Sequence, residues 1–90
     1  MSFSVYINKK AAKCLDEIDQ KTKERIKEAI RVLQTNPVPI EKYDILKLTG
    51  KAHTYRIRIG KYRVIYEVLW NEKTVWVLII DRRGDETYKF

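Results

Sequence analysis

The 90-residue chain has little of what most enzyme sites are built from: one cysteine (Cys14), one histidine (His53), three glycines and two prolines. A lone cysteine forms no internal disulfide, which suits a reducing cytosol. One histidine and one cysteine on different elements cannot make a ligand cluster, and the carboxylates are scattered over helices and turns. No metal and no other cofactor is therefore expected. Neither a Cys–His nor a Ser–His–Asp constellation can be assembled, and Cys14, on an apolar stripe, reads as a small buried hydrophobe. No apolar run reaches the roughly 18 residues of a membrane span. The first residues, MSFSVYINKK, lack the apolar region of a secretion signal, so a cytoplasmic location is expected. A last absence is local: between Ile45 and Tyr66 there is no acidic residue.

That acid-free stretch holds six basic residues, Lys47, Lys51, Arg56, Arg58, Lys61 and Arg63, interleaved with His53, Tyr55, Tyr62 and Tyr66. Charge of one sign on alternating, strand-like sequence is a surface suited to phosphates. The whole chain carries a formal net charge of +7. Such a balance points to nucleic acid, an acidic membrane or an acidic protein partner. A hydrophobic content of 44% supports one small core and a single domain over residues 1–90.

Periodicity supplies the elements. Residues 3–7 read as a short strand, and Asn8 as a helix N-cap. Ala11, Cys14, Leu15 and Ile18, then Ile26, Ala29, Ile30 and Leu33, recur at helical spacing and predict two amphipathic helices. The short polar link at residues 19–22 makes them a hairpin, and Asn36-Pro37 ends the second. Residues 36–53 predict an irregular connection with one brief ordered piece. Tyr55, Ile57 and Ile59 alternate with Arg56 and Arg58 as a strand. Gly60-Lys61 is a tight turn, residues 62–69 return, and residues 74–80, almost continuously apolar, form a last strand expected to be covered on both faces. The expected architecture is α+β, in the order β-α-α-β-β-β, with a helical hairpin packed on an antiparallel sheet.

The chemistry must come from arginine, lysine and tyrosine. Arg56 and Arg58 project from one side of a strand, about 7 Å apart, and Arg63 lies across the turn, so three guanidinium groups can converge on one phosphate. Arg82, Arg83 and Tyr88 follow the last strand and extend this candidate site. Lys47, Lys51, His53 and Lys61 are candidate contacts to a phosphate-bearing partner. The same residues are also compatible with a solvated basic face or with docking of an acidic partner.

The pattern Lys47-Leu48-x-Gly50 followed by Tyr55-Arg56-x-Arg58-x-Gly60-x-Tyr62-Arg63-x-x-Tyr66, then an apolar strand, Arg82-Arg83 and Tyr88, resembles the RelE/ParE toxin superfamily, in the archaeal-type RelE form. The resemblance implies the toxin of a type II toxin–antitoxin system, a ribosome-dependent mRNA endonuclease. It further implies a RelB-like acidic antitoxin, the ribosome and mRNA as partners, and operator DNA only through the antitoxin complex. By the same resemblance, Arg56, Arg58, Arg63, one of Arg82 or Arg83, and Tyr88 would bind and polarise the scissile phosphate. The ribose 2′-hydroxyl would attack it without a metal, leaving a 2′,3′-cyclic phosphate and a 5′-hydroxyl, with Lys47, Lys51, His53 and Lys61 holding RNA or ribosome. Many bacterial relatives carry lysines where Arg56 and Arg58 stand. Arginine is too weak an acid to act as a base in its neutral form, which leaves Tyr88 with the base role. Two alternatives stay open: a gyrase inhibitor of the ParE branch and a nucleic-acid-binding module without catalysis.

Overall fold

A computed structural model describes residues 2–82; the expectations for Arg83 and Tyr88 lie outside the described residues. The chain runs β1 (Ser4–Ile7), α1 (Lys9–Asp16), α2 (Gln20–Leu33), β2 (Asp44–Lys47), β3 (Thr54–Ile59), β4 (Tyr62–Leu69) and β5 (Thr74–Arg82). Five strands form one sheet in the order β1-β5-β4-β3-β2. The expected antiparallel meander is β3–β4–β5.

Two features add to that expectation. The brief ordered piece is a fourth antiparallel strand, β2, with Ile45 opposite Ile57. The first strand pairs parallel with the last, Val5 opposite Val75, so the sheet is mixed.

Local sequence sets the helices. Asn8 caps α1, its Oδ1 accepting from the Ala11 amide at 2.9 Å. Asp19 caps α2 through the Thr22 amide at 3.0 Å, a bond that holds its carboxyl below the usual range. Both helices cover one face of the sheet, α1 over β5 and α2 reaching β3. Their stripes (Ala11, Leu15, Ile26, Ala29, Leu33) meet Ile57, Ile59, Val64, Val68, Val75 and Val77 in a single core. Cys14 packs half-buried against that core, and burial, then the charges of Glu17 and Asp81, push its thiol up, away from the reactive thiolate.

β5 is an interior strand, but only one of its faces is covered by helices. Val75 and Val77 are buried while Trp76 between them is 37% exposed. The ladder to β4 then slips by one residue. Ile65 pairs with Ile79 and Tyr66 with Val77, which leaves Leu78 as the extra residue of a bulge. Beyond it Ile80 faces the helices and Asp81 faces away.

Tyr66 ties the irregular connection to the sheet. Its ring is fully buried and stacks on Tyr55 at 5.7 Å, and its hydroxyl donates to the Pro37 carbonyl at 2.7 Å. Burial, with a smaller contribution from Tyr55, raises its pKa well above that of a free phenol. The unfolded chain ionises Tyr66 near pH 10, so this contribution to stability is intact below about pH 10 and is lost as pH climbs toward the raised folded value. Tyr66→Phe is expected to cost about 1–3 kcal/mol at neutral pH, from the stranded carbonyl, and to flatten the alkaline fall in stability. Denaturant midpoints from pH 8 to 11 check this; the same alkaline slope in the Phe variant would refute the assignment.

Candidate nucleic-acid interface

The period-two alternation of the β3–β4 hairpin decides which side chains share a face. On the helix side lie Tyr55 opposite Tyr66, Ile57 opposite Val64 and Ile59 opposite Tyr62. On the helix-free side Arg58 stands directly opposite Arg63, and Arg56 opposite Ile65. Directly opposed residues have their Cβ atoms about 5 Å apart, and Arg56 is about 7 Å along from Arg58. The three arginines expected to converge therefore do share one patch, positioned by the tight turn at Gly60, whose φ is +57°.

The rings do not accompany them. Tyr55 and Tyr66 pack toward the core instead of joining the arginines, and Tyr62 packs against the core while lining a cleft with Lys61 and Arg82. Their interleaving with arginine in the sequence is what sends them to the other face.

The patch is not bare positive charge. Arg56 Nη2 donates to Asp44 Oδ1 at 3.2 Å, and Arg58 Nη1 lies 3.6 Å from Asp44 Oδ2. Arg63 makes a two-pronged contact with Asp81, Nε to Oδ1 at 3.2 Å and Nη2 to Oδ2 at 3.4 Å. Sequence reasoning missed both carboxylates. Asp44 precedes the acid-free stretch by one position, and its contact depends on β2 pairing. Asp81 reaches the arginine face only because of the bulge at Leu78.

Arg82 is placed elsewhere. It pairs in register with Tyr62, on the helix side, and lines a cleft with Thr22, Arg25, Gly60, Lys61 and Asp19. Here α2 passes close over the turn: a Cβ on Gly60 would meet Arg25 Nη1 at 3.3 Å. Arg25, Lys61 and Arg82 thus line a second concavity, with Asp19 at its edge, and Arg25 also lines the neighbouring cleft that holds Asp44 and Arg58. Lys61 and Arg82 were expected in the sequence, whereas Arg25 sits on a helix face and gave no signal.

The remaining expected contacts lie along the β2–β3 end. Lys47 closes β2 opposite Tyr55, and Lys51 and His53 stand exposed in the loop into β3. That loop is ordered by backbone bonds, the Val68 amide donating to the His53 carbonyl at 2.9 Å and the Leu48 amide to the Thr54 carbonyl at 2.9 Å. These three do not join the arginine patch. Among the described residues no group of His, Cys, Asp or Glu is gathered as a metal site, and no helix is long and apolar enough to cross a membrane.

Comparison with known proteins gives concordant matches. Residues 5–86 match the family described as the ParE toxin of the type II toxin–antitoxin system parDE. The RelE1 protein of Methanocaldococcus jannaschii is 43% identical over 83 residues, 92% of each chain. The fold superposes on a chain of the archaeal RelE–RelB complex from Pyrococcus horikoshii OT3 with a TM-score of 0.85 and 38% identity, covering 94% of this chain and 99% of that one. A chain of the RelB–RelE antitoxin–toxin complex from Methanococcus jannaschii gives 0.79 and 28%, covering 94% and 98%.

Proposed function

We propose, from the premise that this chain belongs to the ParE toxin family of type II toxin–antitoxin systems, that it is a RelE-type toxin that cleaves mRNA on the ribosome. The observation that carries the reading is the in-register Arg58–Arg63 pair, with Arg56 beside it, on the sheet face opposite the helices.

In this reading the 2′-oxygen attacks the scissile phosphorus, the P–O5′ bond breaks, the departing 5′-oxygen takes a proton from water, and a 2′,3′-cyclic phosphate and a 5′-hydroxyl form. The pentacoordinate intermediate gains negative charge, and fixed guanidinium groups are suited to stabilise it. Arginine remains protonated throughout, so it contributes charge and not proton transfer. Tyr88 takes the proton from the 2′-hydroxyl as general base. Arg83 supports the same phosphate. Arg82, with Arg25 and Lys61, grips a neighbouring backbone phosphate from the other cleft, while Lys47, Lys51 and His53 contact RNA or ribosome. With no strong base or acid among these groups, free RNA is a poor substrate, and ribosomal positioning supplies much of the rate. A RelB-type antitoxin is the protein partner, in keeping with the RelE–RelB complexes to which the fold is similar and with the chain's +7 charge.

The family match by itself also fits a gyrase inhibitor of the ParE branch. Mapping mRNA 5′ ends on translating ribosomes, with and without the protein, separates the two. Protein-dependent ends are expected; their absence together with inhibited gyrase supercoiling would transfer the chain to the second reading.

A further inference from the structure

Among the described residues two carboxylates touch the arginine patch, and they are not equivalent. Asp81 is partly buried, its side chain 27% exposed, and it grips Arg63, itself 19% exposed, from the directly opposed ladder position. Asp44 is 59% exposed and spans two guanidinium groups, Arg56 at 3.2 Å and Arg58 at 3.6 Å. It stands at the start of an edge strand and lines an open cleft with Arg25, Glu28, Tyr43 and Arg58. Both carboxylates hold one guanidinium at 3.2 Å, and Arg56, 12% exposed, is no more open than Arg63, so the difference lies in the carboxylates. A two-pronged pair with both partners partly buried fixes geometry, whereas an exposed carboxylate whose second contact is long can swing away into water.

We propose that Asp44 is a resident anion, occupying in the RNA-free protein the place between Arg56 and Arg58 that a backbone phosphate takes when RNA binds. The idea rests on the RNA-cleaving reading above. The exchange conserves charge: a phosphodiester carries one negative charge, as does the carboxylate it displaces. Two oxygens bridging neighbouring guanidinium groups is also an arrangement that a phosphodiester's non-bridging oxygens can reproduce. Asp44 swings toward solvent, to which it is already largely open. Asp81 stays in place and acts as a positioning residue for Arg63. Asp44 therefore sets affinity: it competes with the substrate and also repels it after displacement.

The test is equilibrium binding of a short single-stranded RNA, blocked at its 2′-oxygens so that it cannot be cut, to the free full chain. Asp44→Asn is expected to bind about 3- to 10-fold more tightly than the unaltered protein, with a steeper loss of affinity in salt, since the same phosphate then meets the two guanidinium groups with no internal anion to displace and one more net positive charge on the protein. Asp44→Glu restores the carboxylate and should bring affinity and salt slope back toward the starting values. Thermal unfolding run alongside shows that the variants fold. Asp44→Asn binding equally or less tightly, in a folded variant, overturns the proposal, because Asp44 would then serve only to hold Arg56 and Arg58. If the unaltered protein cuts mRNA on ribosomes and Asp44→Asn binds no tighter, this inference alone fails. If it does not cut and Asp44→Asn still binds more tightly, the nuclease reading fails and the anion exchange stands.

Discussion

Arg58→Ala is expected to lower mRNA cleavage on programmed ribosomes by about 100-fold, equivalent to about 2.7 kcal/mol of transition-state stabilisation, with the fold intact. Arg58 is the cleanest of the three arginines to remove. Its side chain is 44% exposed and its contact with Asp44 is long, so the stability cost should stay within about 1 kcal/mol. Arg63 is a less direct probe. It is largely buried against Asp81, and truncating it strands a partly buried carboxylate, at a stability cost of about 1–3 kcal/mol. Arg56, only 12% exposed, carries the same complication. Single-turnover cleavage at saturating protein isolates the chemical step from binding. An Arg58→Ala variant that is folded and cuts at the starting rate removes the patch from the mechanism.

Tyr88→Phe is the second large effect, also about 100-fold or more in single-turnover rate. It deletes one oxygen and leaves the ring itself unchanged. Stability, affinity for blocked RNA and antitoxin binding should therefore be retained while the proton transfer is lost. A gyrase inhibitor or a simple RNA binder would tolerate the change. A Phe variant that cuts at full rate moves the base role to another group, His53 or one on the ribosome.

The parts of this fold written in local sequence were legible: both amphipathic helices, the Asn8 cap and the Gly60-Lys61 turn. What escaped depends on distant partners. β2 is four residues, DILK, in which only Ile45 is half-buried; without β3 beside it, nothing in that stretch commits to extended structure. β1 reads as a strand, but its parallel pairing with β5 is set by closure of the whole sheet. The candidate site divides in the same way. The arginines were evident from composition, and their common face from alternation. The same alternation, applied to Tyr62-Arg63-Val64-Ile65-Tyr66, would also have removed the tyrosines from the arginine face. The carboxylates could not be read. Arg56 and Asp44 are 12 positions apart, Arg63 and Asp81 are 18, and both contacts require strand register.

The single extra residue at Leu78 makes odd and even exchange meaning along β5. Before it, odd-numbered side chains point inward; after it, even-numbered ones do. A relative of equal length without the bulge would carry its counterpart of Asp81 under the helices and its counterparts of Ile80 and Arg82 on the face of Arg63. Alignment columns at the end of this strand thus preserve residue type without preserving side. A role transferred across that point from one toxin to another has an address only once the number of residues spanning the ladder has been counted in both.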